Sequence, residues 1–170
     1  MKGTRFYEEY PIWIVALSNS ASVAIYLIGA FIIYQFGLVW MALYLFYIGL
    51  LEIRVLKWHC VDCYYYGKAC AFGKGKLSAL LFNKGDPSKF CRMKITMKDI
   101  IPDFAVFIIP TAVGAMILLA NFSWLILALT ASLFLLGFAG NALVRGRLAC
   151  RFCKQRELGC PAEQLFDKKK

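Results

Sequence analysis

The chain has one histidine, His59, and ten acidic residues among 170. With a single imidazole no Ser-His-Asp set can form, and no spaced pair of carboxylates suggests hydrolysis. Charge is also scarce. Only 18% of residues are charged while 61% are hydrophobic, against about a quarter and a half in an ordinary soluble domain. There is no low-complexity linker, and the length suits one domain. A phosphate loop is missing too. Gly67 and Gly73-Lys74 are separated by five residues, with Gly75 after the lysine, where the motif needs four and then Ser or Thr.

Positive charge is plentiful but confined. Of twenty Lys and Arg, two fall in residues 1–10, ten in 54–98 and eight in 145–170. A net charge of +10 would suggest nucleic acid in a soluble protein, but this confinement points instead to loops facing anionic lipid. Nucleic acid is therefore not expected as a partner.

Between the basic groups lie four apolar runs, 11–34, 38–53, 104–120 and 123–144, broken by QFG (35–37) and NFS (121–123). About 20 apolar residues cross a bilayer core of roughly 30 Å. The hairpin turns carry no charge, so the positive-inside rule places the N-terminus, the central loop and the C-terminus in the cytosol. The expectation is an all-α integral membrane protein of four transmembrane helices, in the cytoplasmic membrane if prokaryotic. The first run is too long for a signal h-region, and Pro11 suits its first helical position. Pro102 and Asp103 mark the entry to the third span.

Cysteine is concentrated in two places. Residues 58–70 read WHCVDCYYYGKAC and residues 148–160 read LACRFCKQRELGC, both with C-x2-C-x6-C spacing. Pairing 11–70 with 101–160 aligns span with span and all three cysteines with cysteines, although only 7 of 60 positions are identical. The chain thus reads as one membrane domain over 1–170. It comprises repeat 1 (11–70), a basic cysteine-containing loop (57–100), repeat 2 (101–160) and a basic tail (161–170). The units are two parallel helical hairpins, each followed by a cytosolic cysteine motif.

All seven cysteines, Cys60, Cys63, Cys70, Cys91, Cys150, Cys153 and Cys160, fall on the expected cytosolic side, where disulfides are rare. Two thiolates at C-x2-C spacing grip one metal from a tight turn, and two such pairs complete a four-sulfur shell. Two wirings are open. In one, each repeat has a separate site: Cys60, Cys63, Cys70 and Cys91 form a complete set, and Cys150, Cys153 and Cys160 lack a fourth ligand in their own repeat. In the other, the two C-x2-C pairs join across the repeats. The cofactor is an iron–sulfur cluster or zinc. Cys160-Pro161 echoes the Cys-Pro that closes ferredoxin motifs and favours iron–sulfur, although the tight C-x2-C-x2-C run is missing. Paired C-x2-C elements are common in zinc sites, but no Gly follows the second Cys of either pair. His59 is a possible further ligand, or simply polar surface. The thiols could instead be inert small hydrophobes, or redox dithiols whose pKa values are lowered by Lys57, Lys68, Arg147, Arg151 and Lys154.

Polar residues inside the spans are few. Asn19, Glu52 and Asn141 are the intramembrane candidates, Asn19 and Asn141 also reading as interhelical glue. Glu52 is expected to pair with Arg54, Arg145 or Arg147. Gly29, Gly49, Gly114, Gly137 and Gly140 allow close helix approach, and Pro110 should bend the third helix. Leu77, Leu80, Leu81 and Phe82 beside Lys74, Lys76 and Lys84 suit either a short interfacial helix on anionic headgroups or a solvated basic loop.

A four-span chain with a cysteine-rich loop between spans two and three resembles the protein S-acyltransferases in architecture. Their Asp-His-His-Cys signature is missing, His59-Cys60 being its nearest match, and their activity is not implied. The expected function is metal binding at the cytosolic face. It would serve electron transfer with, or docking of, a larger membrane or cytosolic redox complex, with Trp58, Tyr64, Tyr65 and Tyr66 shielding the site. The alternatives are a soft-metal transporter or delivery protein, a thiol–disulfide oxidoreductase, or a structural zinc-stapled subunit.

Overall fold

The computed structural model describes residues 6–93 and 96–161; the expected basic tail lies almost wholly outside them. Two long helical hairpins form the body. The first joins α1 (Ile12–Tyr34) to α2 (Leu38–Val55), which runs on as a wider π-helical turn over Leu56–Cys60. Two short helices follow, α3 (Lys74–Leu81) and α4 (Pro87–Arg92). The second hairpin joins α5 (Met97–Ala120) to α6 (Trp124–Leu135). α6 continues through π-helical segments, Leu136–Gly140 and Ala142–Ala149, into a 3₁₀ turn at Cys150–Phe152. A last short helix, α7, covers Gln155–Gly159.

Four helices, Ile12–Tyr34, Leu38–Cys60, Lys98–Ala120 and Trp124–Phe152, are long and apolar enough to cross a membrane. Three are longer than the apolar runs forecast, the second continuing to Cys60. The third starts before Pro102, at a capping box in which Thr96 N–H donates to the Asp99 carboxylate at 2.9 Å. Its entry is therefore Thr96–Asp99, with Pro102 inside the helix. The fourth carries Arg145 and Arg147 in added turns, because long cationic side chains reach outward while the backbone stays helical.

α1 and α5 pack together at the centre, with α2 beside α1 and α6 beside both. Their core contains Ile25, Ile32, Ile33, Tyr44, Ile48, Phe107 and Leu133. Much of the outer surface is apolar and exposed, including Leu27, Val39, Phe46, Leu119 and Leu125, as a lipid-facing bundle requires. A Cβ at Gly29 would collide with Tyr44, one at Gly114 with Thr130 and one at Gly137 with Phe107. These three glycines permit close crossings. Gly49 meets nothing within 4 Å and Gly140 only its own helix, so neither has the forecast role.

Pro110 removes the N–H that would bond the Val106 carbonyl four residues back. The Tyr44 hydroxyl donates to that carbonyl at 2.8 Å instead. Tyr47 likewise donates to Pro102 O at 2.8 Å, so two tyrosines of α2 serve the proline-bearing face of α5.

Candidate thiol chamber

The two cysteine motifs leave α2 and α6 at the same end of the bundle. Their connecting segments are fixed by the chain before α1. Tyr7 N–H donates to Phe152 O at 3.0 Å, and Tyr10 N–H to Ala69 O at 2.9 Å. The Tyr10 hydroxyl donates to Ala149 O at 2.5 Å, next to Cys150. Tyr65 donates to Tyr7 O at 2.6 Å and accepts from Lys154 N–H at 2.9 Å. Gln155, buried, accepts from Tyr64 N–H at 2.8 Å. Each bond ties residues of one motif to the other or to the N-terminal segment. Tyr7, Tyr10 and Tyr65 also pack ring on ring, with centroids 5.2 and 5.5 Å apart.

Under this aromatic roof lies a cavity of about 450 Å³. Cys60, Cys63, Cys70, Cys150, Cys153 and Cys160 all line it, as do His59, Glu52 and Asn141. The wall therefore draws cysteines from both motifs. Cys91 is elsewhere. Its Sγ–H donates to Leu158 O at 3.2 Å, and Gln155 Nε2 lies 3.6 Å from the same sulfur. Cys91 is thus not among the residues that line the cavity, whose cysteines come from both motifs.

No disulfide joins any of the seven cysteines. Burial pushes the Cys63 thiol up to about 12 and the Cys153 thiol up to about 11. The expected activation by neighbouring cations does not occur at these two sulfurs. Lys68 and Lys154 turn to Glu8, at 3.9 and 3.6 Å, and the Arg151 guanidinium lies over the Phe152 ring. Among the described residues, no three His, Cys, Asp or Glu side chains gather closely enough to hold one metal ion. Four sulfurs on one zinc, each at about 2.3 Å, lie only ~3.8 Å apart. A cluster, which carries sulfides between its irons, spans wider spacings.

Glu52 pairs with Lys74 of α3, at 2.7 Å, and not with the arginines proposed for it; Arg54 pairs with Asp99 at 3.5 Å. The reason is local: the loop after Cys70 folds back, setting the first turn of α3 against α2. The Tyr26 hydroxyl donates to Glu52 at 2.6 Å. Asn141 donates within its own helix, to Gly137 O at 2.8 Å, so it is not interhelical glue. Asn19 is exposed and bonds to no described residue. Trp58 is 63% exposed and shields nothing, whereas Tyr65 is buried.

Sequence reasoning missed Tyr7, Tyr10 and Gln155. Tyr7 and Tyr10 lie within the short polar prelude to the first span, and an aromatic pair there reads as a membrane-interface belt. Gln155 offers no periodicity or spacing by which to single it out. Compared with protein-family profiles, with characterised proteins and with solved structures, the chain matches none.

Proposed function

We propose that this is an integral membrane protein holding an iron–sulfur cluster in the thiol chamber, and that it passes electrons between the membrane and a redox complex docked at its basic face. The observation that carries the reading is that six cysteines from two separate hairpins line one cavity. Cys60, Cys63, Cys150 and Cys153 are the proposed principal ligands, with Cys70 and Cys160 on the same wall and His59 beside them. Cys160-Pro161, which echoes the Cys-Pro that closes ferredoxin motifs, favours a cluster over a single zinc ion. Half-buried Cys63 and Cys153, whose thiols desolvation pushes up to about 12 and about 11, speak against a fast dithiol enzyme, which needs a ready thiolate. In this reading the two hairpins are parallel repeats. The basic face, with both termini, lies in the cytosol against anionic headgroups.

Anaerobic purification with iron, zinc and acid-labile sulfide analysis, together with optical and paramagnetic spectra, tests it. Iron with matching sulfide, lost in Cys63→Ser/Cys153→Ser and kept in Cys91→Ser, is expected. Colourless protein with stoichiometric zinc would sink electron transfer and leave a structural staple. Readily exchanged metal would make the protein a metal carrier.

A further inference from the structure

A second, smaller recess of about 280 Å³ lies beside the chamber, between α1, α2 and the first turn of α3. Its polar wall is Asn19, Ser22, Glu52, Lys74 and Arg145. Drug-sized ligands fill pockets of about 300–1,000 Å³, so this one admits a small head and not a whole amphiphile. On its rim Val23 and Leu77 are 50% and 45% exposed. The outer face of α3 continues from Leu77 through Leu80 and Leu81, both exposed, with Lys76 exposed among them. Gly75 and Ser78 are buried on its inner face. Outward leucines and lysines suit the boundary between headgroups and acyl chains, and α3 carries the mouth of the recess to that level.

The charges of the wall do not balance. Lys74 and Arg145 face Glu52 alone, two cations against one carboxylate. Glu52 is already held by Lys74 at 2.7 Å and by the Tyr26 hydroxyl at 2.6 Å. Among the described residues no carboxylate comes within ion-pair distance of Arg145. Its guanidinium lies over the Phe72 ring, 5.2 Å from the centre. A ring contact of this kind neutralises no charge, and a guanidinium stacked by its face keeps the N–H groups of its edge for an anion. Asn19 also lines the recess, and it is exposed and bonds to no described residue. The wall therefore suits one monovalent anion with several acceptor oxygens. A phosphodiester carries a single negative charge and can accept from Arg145, Lys74 and Asn19 together. A phosphomonoester, at about −1.5 to −2 near pH 7, would set further charge against Glu52, and a neutral head would leave Arg145 uncompensated.

We infer that the recess binds the phosphodiester head of one anionic phospholipid, drawn from the leaflet at this end of the bundle, with its acyl chains over Val23 and Leu77. Basic pockets between transmembrane helices hold anionic heads in this way. The apolar rim favours a lipid over a soluble phosphodiester. Arg145 belongs to the π-helical continuation of α6 and Lys74 to α3, so the bound head bridges the segment after the first hairpin and the end of the second. The inference uses the bilayer reading and not the identity of anything held by the thiols.

The test titrates the delipidated full chain, in neutral detergent, with dioleoylphosphatidylglycerol and counts bound lipid by native mass spectrometry. One saturable equivalent per chain is expected. Neither phosphatidylcholine nor water-soluble glycerophosphoglycerol at the same concentration should displace it. Arg145→Gln should weaken binding by about tenfold or more. Glu52→Gln should bind at least as tightly as the unaltered chain, and Lys84→Gln, outside the recess, should bind equally. Circular dichroism checks the helicity of each variant. No saturable equivalent, equal weakening by Arg145→Gln and Lys84→Gln, or displacement by phosphatidylcholine overturns the inference. Displacement by glycerophosphoglycerol overturns the lipid as source. Should Arg145→Gln lose its helicity, Glu52→Gln decides: weaker binding there overturns the charge argument. Each of these failures leaves the iron and sulfide content of the chamber, and so the proposed function, unaffected.

Discussion

Tyr44→Phe isolates one bond in the membrane-spanning core. The lost hydroxyl donates to the Val106 carbonyl at 2.8 Å, and Tyr44 is only 7% exposed. No solvent replaces it, and position 110 cannot, because proline lacks the N–H. Orphaning a buried carbonyl costs about 1–3 kcal/mol, while interhelical bonds in bilayers average nearer ~0.6 kcal/mol because the unfolded helices also find partners. A loss of about 1 kcal/mol is therefore expected. The decisive arm is the same substitution in Pro110→Ala, which restores the N–H and lets the helix bond its own carbonyl. There Tyr44→Phe should cost about 0.3 kcal/mol or less, giving a coupling of roughly 0.7 kcal/mol. Pro110 is fully buried, so its truncation also opens space, but that cost is common to both arms and cancels. Unfolding in mixed micelles, followed by far-ultraviolet circular dichroism, measures all four proteins. Equal costs in the two backgrounds would refute the claim that Tyr44 stands in for the missing amide.

Tyr10→Phe removes the bond to Ala149 O and should lower stability by about 1–2 kcal/mol, read as a lower melting temperature; an unchanged value would show that the roof does not fasten the motif. Lys74→Met leaves the Glu52 carboxylate without its cation and should destabilise by on the order of 1–2 kcal/mol; adding Glu52→Gln should recover most of it, and failure to recover would assign Lys74 another role. In metal-free protein, thiols near 12 and 11 at Cys63 and Cys153 keep the thiolate fraction at pH 8 on the order of 10⁻⁴ to 10⁻³, against about a quarter for an unperturbed thiol. Maleimide should therefore label these two in the folded protein at least a hundredfold more slowly than in the denatured chain, and mass spectrometry of the labelled peptides checks this. Because folding raises these pKa values, their contribution to stability is complete below about pH 8.5 and is lost as pH climbs through about 11 and 12; an alkaline melting series showing no such decline would contradict it.

The four long helices were legible because hydropathy integrates over twenty positions and tolerates local exceptions. Their ends were less so. An apolar run stops at the first charge, whereas a helix stops where its backbone bonds stop, and Thr96–Asp99 caps α5 several residues before the apolar stretch begins. The cysteine spacing marked both motifs but left open which thiols meet. That depends on where α4 and α7 sit, and Cys91 is held by Leu158 and Gln155, contacts of 67 and 64 residues' separation. Glu52 had three plausible arginine partners in sequence. Lys74 won because Gly73 enters α3 with φ of 69°, a left-handed turn that glycine adopts at no steric cost and that swings α3 back onto α2.

Both cysteine motifs begin where a long helix widens. α2 passes into a π turn over Leu56–Cys60, and α6 into π and 3₁₀ turns ending at Phe152. Such turns leave some carbonyls without their usual partners, and the Tyr10 hydroxyl reaches one that lies in this widened region, Ala149 O. Tyr10, which helps to fasten the roof of the chamber, is therefore also bonded to the backbone of the helix end beneath it. Disturbing the thiol wall and fraying the bundle end should then be one event rather than two, which is why Tyr10, 139 residues from its partner, is the side chain whose loss most directly tests whether the chamber is built in advance of any occupant.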